Sequence, residues 1–307
     1  MTQKHKQSLL LAVIDIGSNS VRMVIYDMSS RRPAVLRQKK VRCGLAKGLR
    51  NDHLHLNPRS VALTLKTLAS FRTILDKNDV RSVCAIATAA SRLVKKTPQG
   101  KTFHHRAEKA LGHKISIISG KREAELGAKG VRVGWPHATG ICGDFGGGSL
   151  ELAQLKNGRI VHAVSLPLGS LTLMAEAEAK PMEAVSYLRQ RLKQVNWLHH
   201  KKPVFYPIGG SWRTVARVLR KQQGATSPLV HGYTVTAAKV APAIKIMAAN
   251  DASAFKKMGR KIRRRAKLIP VAAMVLSELI TLIQPYRIIF SSYGIREGIF
   301  SEHRMVG

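Results

Sequence analysis

Two loops in the sequence combine an aspartate with glycine and hydroxyl residues. The first reads Asp15-Ile16-Gly17-Ser18-Asn19-Ser20 and the second reads Asp144-Phe145-Gly146-Gly147-Gly148-Ser149. Glycine lets a backbone approach a ligand closely, successive backbone N–H groups form an anion-binding nest, and hydroxyls add further donors. Each loop therefore suits a phosphate group. An ordinary glycine-rich turn is the alternative for either loop taken alone.

Three carboxylates lie in or beside these loops: Asp15, Asp144 and Glu151. A carboxylate next to a phosphate loop repels the ligand unless a cation bridges the two. Mg²⁺ suits this arrangement, with Mn²⁺ as a substitute, because it binds one or two carboxylates together with water and substrate phosphate. We therefore predict these three residues as metal ligands. The alternative is that Asp15 and Asp144 only cap their own turns.

Apolar segments flank both loops. Residues 9–14 and 21–26 enclose the first loop, and residues 140–143 and 150–155 enclose the second. Each arrangement predicts a strand, a tight turn and a second strand. The two aspartates are separated by about the length of one domain. The repetition predicts one fold present twice, with both copies offering a loop to a shared cleft.

Strands and helices alternate along the rest of the chain. Predicted strands cover 83–87, 115–118, 204–208 and 287–291, and predicted helices cover 60–75, 103–111, 121–130, 182–198, 212–220 and 262–283, with a closing helix from Gly294. This alternation is typical of the α/β class. A length of 307 residues favours two domains, which we place at 1–126 and 127–307. In this division the closing helix belongs to the second domain, and packing of that helix on the first domain is left open.

The composition is strongly basic. Lys and Arg number 52 against 17 Asp and Glu, which gives a net charge of +35. Such an excess indicates a polyanionic partner: nucleic acid, an anionic membrane or a polyphosphorylated substrate. It is densest in the basic segment, which contains Lys256, Lys257, Arg260, Lys261, Arg263, Arg264, Arg265 and Lys267 and no acid. This segment predicts a track for a long polyanion, with a solvated helix face as the alternative.

Other features limit the class of protein. Hydrophobic residues make up 45% of the chain, which excludes general disorder. The apolar residues 9–14 meet Asp15 without a small-residue cleavage site, so we expect no signal peptide. The next apolar stretch, 268–277, is too short to span a membrane. The three scattered cysteines form no disulfide framework and suit the cytoplasm, where we expect the protein.

Six segments in order along the chain resemble the exopolyphosphatase / guanosine pentaphosphate phosphohydrolase family, part of the actin–Hsp70–sugar kinase superfamily. The segment Ala87-Thr88-Ala89-Ala90-Ser91-Arg92 is similar to the family's Ala-Thr-x-Ala-x-Arg, and Ile118-Ser119-Gly120-Lys121-Arg122-Glu123-Ala124 is similar to its Ile-Ser-Gly-x-Glu-Glu-Ala. Residues 14–22 and 143–152, around the two loops, and residues 165–169 and 294–298 match as well.

This resemblance implies an actin-like domain, with a ribonuclease H-like fold, in each half and a phosphate-binding cleft between them. It implies that Glu123 is the general base that activates water and that Arg22 and Arg92 clamp phosphate. The phosphate-binding residues of the two loops would be Gly17, Ser18, Asn19, Ser20, Gly146, Gly147, Gly148 and Ser149. From the residues alone, Glu123 is also explained as an acid in the first turn of a helix, where it balances the helix dipole.

The chain departs from the family pattern at several positions. The first acid of the Glu-Glu pair is Arg122, the hydroxyl residue after Gly-Gly-Gly-Ser is Leu150, and the arginine after Ser-Leu-Pro-Leu-Gly is Thr172. Residues 93–96 replace a stretch that contains asparagine. These differences bear on efficiency and substrate preference more than on the fold.

We predict an exopolyphosphatase that uses Mg²⁺ to release terminal phosphate from inorganic polyphosphate, away from any membrane. The close alternative is hydrolysis of guanosine pentaphosphate by the same groups, although the +35 charge favours the longer polyanion. A nucleic-acid-binding protein that kept the fold and lost turnover is an alternative from another class. A kinase-like phosphotransferase would need a nucleotide pocket at Gly209-Gly210-Ser211, where bulky Trp212 and Arg213 follow. A homodimer is left open.

Overall fold

The computed structural model describes residues 9–30, 32–49, 54–199, 201–227, 229–250 and 252–305. They form two compact units. Unit 1 comprises the chain up to Ser119 together with the residues from Ile299 onwards, and unit 2 comprises Gly120–Gly298. The last helix therefore contributes residues to both units. The domain boundary that we place at 126/127 stays a prediction.

Among its described residues, unit 1 contains one five-stranded sheet, three complete helices and the larger part of the last helix. Its elements are β1 (Leu10–Ile16), β2 (Val21–Asp27), β3 (Ala34–Val41), α1 (Pro58–Lys77), β4 (Ser82–Ala87), α2 (Ala89–Val94), α3 (Pro98–Leu111) and β5 (Ile115–Ile117). The strand order is β3-β2-β1-β4-β5. Strand β1 pairs antiparallel with β2 and parallel with β4. Residues 11–14 are buried on both faces of the sheet, which is why the central strand is continuously apolar.

Unit 2 begins with α4 (Gly120–Gly134), β6 (Gly140–Phe145), β7 (Leu150–Lys156), β8 (Arg159–Leu166), α5 (Ser170–Ala179) and α6 (Pro181–Lys193). It continues with β9 (Val204–Ile208), α7 (Gly209–Gln222), β10 (Tyr233–Thr236), α8 (Ala237–Ala249), α9 (Arg260–Arg263), α10 (Ile269–Ile283), β11 (Arg287–Phe290) and α11 (Ile295–Met305). The strand order is β10-β11-β9-β6-β7-β8. Helix α10 lies in the hydrophobic core and packs against α7 and α8.

The two sheets share one arrangement. Strand β6 pairs antiparallel with β7 and parallel with β9, as β1 pairs antiparallel with β2 and parallel with β4. A third antiparallel strand, β3 or β8, follows on the hairpin side in each unit. The register places Asp15 opposite Arg22 and Asp144 opposite Glu151. The predicted α/β class with the same strand–turn–strand unit present twice is therefore confirmed.

The predicted helix over 262–283 is wrong in its first part. The chain forms the short helix α9, then a 3₁₀ turn at Ala266–Leu268, and only then α10. Pro270 lies in the first turn of α10, where its missing N–H is tolerated, whereas in the interior of a longer helix it would break an i to i−4 hydrogen bond. The apolar periodicity extends across this break, and the proline decides where the helix begins.

The apolar segment around α10 is longer than the sequence suggested. Residues Ala266–Ile283 are apolar and long enough to cross a membrane by length and composition. Half of this stretch is buried inside the protein, and its side chains belong to the core of unit 2. That burial is the pattern of a core helix, which must be apolar around most of its circumference.

Candidate active site

The first loop is a tight turn fixed by backbone hydrogen bonds. The Gly17 N–H donates to the Ser20 carbonyl at 3.1 Å and closes the turn between β1 and β2. The N–H groups of Gly44 and Ala46 donate to the carbonyls of residues 19 and 18, and the Ser18 side chain is buried. A neighbouring segment thus supports the loop, so its backbone conformation is set before any ligand binds.

Arg92 lies at the same edge of the unit 1 sheet as the first loop. The Thr88 N–H, just before α2, donates to the Ile16 carbonyl at the end of β1 (3.2 Å). The Arg92 guanidinium on α2 donates to the Ile118 carbonyl (3.3 Å), beyond the end of β5. Because β1, β4 and β5 are parallel, their carboxyl ends meet at one edge. The predicted clamp residue therefore lies at the edge where the loop begins.

The second loop repeats the geometry of the first. The Gly146 N–H donates to the Ser149 carbonyl at 3.0 Å, which is the equivalent of the Gly17–Ser20 bond. The start of α5 stabilises this loop, because the N–H groups of Ser170 and Leu171 donate to the carbonyls of Gly146 and residue 147. Gly169 touches this loop so closely that a Cβ there would lie 2.4 Å from the backbone of residues 147 and 148.

Three carboxylates of unit 2 interact electrostatically with one another near this loop. Glu123 lies in the first turn of α4 and is only 7% exposed, and Glu151 on β7 is 3% exposed. Burial is the main cause that raises the pKa of Glu151 well above its usual value, and the negative charges of Glu123 and Asp144 raise it further. The sequence assigned Glu123 and Glu151 to different roles, and the structure places them within electrostatic reach of each other in unit 2.

Two serines hydrogen-bond the buried carboxylate. The Ser165 hydroxyl donates to Glu151 Oε1 at 2.7 Å. The Ser149 side chain also hydrogen-bonds Glu151 and lowers its pKa, against the larger effect of burial. A serine hydroxyl has one hydrogen to donate. Ser149 is therefore best placed to meet a phosphate through its backbone N–H rather than through its hydroxyl.

The carboxylates of unit 2 supply the kind of oxygen donor that a divalent cation prefers. Oxygen ligands are those that Mg²⁺ prefers, and a cation would relieve the repulsion among the three carboxylates. Within the described part of the chain, no three His, Cys, Asp or Glu side chains are grouped closely enough to hold a metal ion alone. A cation there would need water and phosphate oxygens to complete its coordination. The metal ligands Asp15, Asp144 and Glu151 stay predictions.

An arginine cluster that the sequence did not indicate lies beside Asp144. Burial is the main cause that lowers the pKa of Arg213 to about 10, and the nearby charges of Arg296 and Arg265 lower it further, while Asp144 and Glu297 act in the opposite direction. Arg296 lies in segment 294–298, one of the six that resemble the family, so this member of the cluster had a signal in the sequence. No local pattern indicated that α7 would bring Arg213 to the same place.

Arg265 differs from the rest of the basic segment. Its guanidinium lies against Gly210, where a Cβ would be 2.3 Å from Arg265 Nη1. The remaining members of the segment are exposed: Lys256, Lys257, Arg260, Lys261, Arg263, Arg264 and Lys267. Phe255 and Ile262 are buried and anchor the segment to unit 2. The segment therefore presents seven cations to solvent and packs one, Arg265, against the start of α7.

Leu150, one of the departures from the family pattern, packs in the hydrophobic core. Leu150 follows the second loop directly, is completely buried and belongs to the hydrophobic core of unit 2. Arg122 is partly exposed beside Glu123, and Thr172 is exposed on α5. The leucine contributes to packing of the strand that carries Glu151.

Two sheets that share the order of five strands, each with a glycine-serine turn after its first strand, define the two-domain actin-like fold. The model of the Ppx/GppA phosphatase family matches residues 24–304. The chain therefore belongs to the Ppx/GppA phosphatase family, and the predicted family is confirmed.

Individual relatives agree with this assignment. The guanosine-5'-triphosphate,3'-diphosphate pyrophosphatase of Pseudoalteromonas translucida is 32% identical over 179 residues, which are 57% of this chain and 34% of that protein. The chain thus spans about a third of the length of the curated relatives it matches. The exopolyphosphatase structure from Cytophaga hutchinsonii superimposes with a TM-score of 0.84 at 23% identity, covering 97% of this chain and 98% of that one. A Ppx/GppA structure from Aquifex aeolicus has a TM-score of 0.80, also at 23% identity, and covers 97% of this chain and 99% of that one.

Proposed function

We propose that this chain is a hydrolase of phosphoanhydride bonds that releases terminal orthophosphate from inorganic polyphosphate. The observation that carries the proposal is the pair of turns closed by equivalent Gly–Ser hydrogen bonds, together with buried Glu123, which interacts electrostatically with Glu151 on the strand after the second turn. Phosphoryl transfer requires little covalent chemistry from a protein beyond positioning and charge stabilisation. Turns held in place by these hydrogen bonds supply the positioning.

In the proposed reaction, Glu123 accepts a proton from the attacking water while that water approaches the terminal phosphorus in line with the leaving oxygen. The backbone N–H groups of the two loops, with Arg22 and Arg92, stabilise the negative charge on the phosphate oxygens. Asp144 and Glu151 would hold Mg²⁺ with Asp15, and the bound ion would supply neutralisation of the phosphate charge. Free thiols at all three cysteines suit the reducing cytoplasm that we propose as its compartment.

Hydrolysis of guanosine pentaphosphate is the second candidate, because a relative carries the name of a guanosine-5'-triphosphate,3'-diphosphate pyrophosphatase. The kinase-like alternative is less favoured. A guanidinium fills the space over Gly210, on the turn that a kinase-like nucleotide pocket would use. The excess of Lys and Arg over Asp and Glu occurs in both units and favours the longer anion.

Phosphate release from polyphosphate, guanosine pentaphosphate and ATP, measured in parallel with and without Mg²⁺, tests the proposal. We expect release from polyphosphate that depends on Mg²⁺. Faster release from guanosine pentaphosphate would favour the second candidate. No release from any of the three would contradict an enzymatic function and favour a binding protein on the same fold.

Binding of long polyphosphate should weaken steeply with added salt, because many Lys and Arg contacts release counterions. Tripolyphosphate should show a flatter dependence, since the loops dominate its binding. Reversing the charge at exposed Arg263 and Arg264 to Glu should reduce the long-chain slope. Titrations at several salt concentrations measure these slopes.

The matched control reverses the charge of Lys156 and Arg159, which are exposed at the opposite edge of the unit 2 sheet from the second loop. This control should leave the slopes of both ligands unchanged. Equal salt dependence of binding for long and short chains in the wild-type protein would show that the basic segment does not bind polyphosphate.

A further inference from the structure

Helix α7 carries three arginines along one side: Arg213, Arg217 and Arg220. Spacings of four and three residues place side chains on the same face of a helix. The opposite face is buried in the core, where the Trp212 indole N–H donates to the Ala272 carbonyl at 2.9 Å. All three arginines are partly exposed. We call these three residues the arginine stripe.

Backbone carbonyls hold each guanidinium of the arginine stripe in place. Arg213 Nε donates to the Gly209 carbonyl (3.0 Å), Arg217 Nη1 to the Arg213 carbonyl (3.3 Å) and Arg220 Nη2 to the Ser227 carbonyl (3.2 Å). Arg220 also lies over the Tyr233 ring, 5.2 Å from its centre. A guanidinium has five N–H donors, so one carbonyl bond each leaves most donors for a ligand. Side chains fixed in advance lose little conformational entropy when an anion binds.

Arg217 and Arg220 differ from Arg213 in their charged neighbours. Among the residues that the structure describes, neither Arg217 nor Arg220 forms an ion pair with a carboxylate. Burial alone lowers the pKa of Arg217, without a contribution from any other charge. The Nε atoms of both side chains are buried without a hydrogen-bond partner. Removing a cation from water without a counterion costs free energy, which an anionic ligand would recover.

The arginine stripe begins at the candidate site. Arg213 lies within electrostatic reach of Asp144 and of the cations Arg265 and Arg296. From there α7 rises about 1.5 Å per residue, so Arg220 lies roughly 10 Å further along its axis. Helix α9, from the basic segment, packs against α7. The cations therefore continue from the second loop along one helix, over a length that accommodates several successive phosphates.

We propose that the arginine stripe binds the internal phosphates of a linear polyphosphate chain whose terminal phosphate occupies the second loop. The proposal rests on the function proposed above and adds a path for the rest of the chain, distinct from the exposed basic segment. Single-stranded nucleic acid is the less favoured ligand, because it needs free aromatic faces for its bases. The Tyr233 ring beside the stripe is already covered by Arg220 and stacked on Phe290.

The test is the double substitution Arg217→Gln with Arg220→Gln, which removes two charges and leaves the loops intact. Its readout is equilibrium binding of long-chain polyphosphate and of tripolyphosphate at several salt concentrations. We expect long-chain affinity to fall at least about tenfold, because each arginine loses charge-assisted hydrogen bonds. The slope of log affinity against log salt should fall by roughly 0.7 for each lost contact. Tripolyphosphate binding should fall much less.

The control is the double substitution Lys156→Gln with Arg159→Gln, which makes the same change in net charge on the β7–β8 hairpin. It should leave long-chain binding unchanged. A third variant, Arg217→Lys with Arg220→Lys, keeps both charges and tests for misfolding. It should retain the salt slope with weaker affinity, because lysine lacks the forked donor geometry of arginine.

Long-chain affinity and slope equal to wild type in the folded glutamine variant would overturn the proposal. A selective loss of oligonucleotide binding, with polyphosphate binding preserved, would also overturn it and assign the stripe to nucleic acid. These outcomes differ from failure of the proposed function, which would appear as absence of phosphate release by the wild-type protein.

Discussion

Glu123→Gln should reduce the turnover of polyphosphate hydrolysis by about 10²–10⁴-fold, the usual contribution of a general base. Glutamine keeps the size and much of the hydrogen bonding of glutamate but cannot accept the proton of the attacking water. Glu123 is almost fully buried in the first turn of α4, within electrostatic reach of Glu151. Measurement of turnover at saturating substrate isolates the chemical step from binding.

The same variant should bind polyphosphate as well as wild type or slightly better. Removing a negative charge from a group of carboxylates reduces the repulsion that a phosphate meets there. Direct titration with polyphosphate measures this affinity. A mutation that only damaged the fold would weaken affinity and turnover together, so the two readouts separate the explanations.

Glu125→Gln is the internal control. Glu125 lies two residues further along α4, on another face of the helix, and is partly exposed. This substitution should be nearly silent in turnover. If Glu123 served only as an acid at a helix start, its replacement would cost no more than about 1 kcal/mol of stability and keep the rate. Normal turnover in Glu123→Gln would therefore reject the mechanism and leave the fold assignment intact.

The sequence predicted both loops because their information is local. An apolar strand, an aspartate, glycines and a serine follow one another directly, and a hairpin turn depends only on neighbouring residues. The structure adds the support that distant segments give, such as Gly169 against the second loop. The antiparallel pairing of β1 with β2 and of β6 with β7 also follows from these local signals. The parallel pairing with β4 and β9 joins distant segments, and local signals do not predict it.

The arginine cluster could not be predicted in the same way. The cluster draws its members from three separate segments of the chain. Arg213 lies in α7, Arg265 follows α9 and Arg296 lies in α11, and the packing of these segments brings the three side chains together. The density of basic residues around Arg265 predicted that it belongs to a solvent-exposed track. In the structure its guanidinium packs against Gly210 at the start of α7. The break in the predicted helix 262–283 allows this packing, because a continuous helix would place residue 265 differently.

Two glycines in α4 should respond to the same substitution with opposite signs. A Cβ on Gly127 would meet Ile208 Cδ1 at 3.7 Å, an ordinary van der Waals contact with a flexible side-chain end. Gly127→Ala should therefore raise stability by up to about 1 kcal/mol, because alanine favours a helix more than glycine does. A Cβ on Gly130 would lie 2.0 Å from the Gly294 carbonyl oxygen.

The backbone at Gly294 has little freedom to move away. Its N–H donates to Glu297 Oε2 at 2.8 Å, and its carbonyl accepts from the Gly298 N–H at 2.9 Å. Gly294 itself faces Ile208, where a Cβ would lie at 2.7 Å. Overpacking of this kind typically costs about 1–3 kcal/mol, so Gly130→Ala should lower stability by at least that amount.

Gly130→Ala should also lower turnover, whereas Gly127→Ala should keep it. Relief of the clash requires α4 to move relative to residue 294, and Glu123 is carried on the first turn of the same helix, roughly 10 Å from Gly130. A displaced base loses its alignment with water even when the protein folds. Thermal unfolding and turnover of the two alanine variants, measured side by side, test both parts. Stability changes of the same sign in the two variants would contradict the close approach of α4 to Gly294.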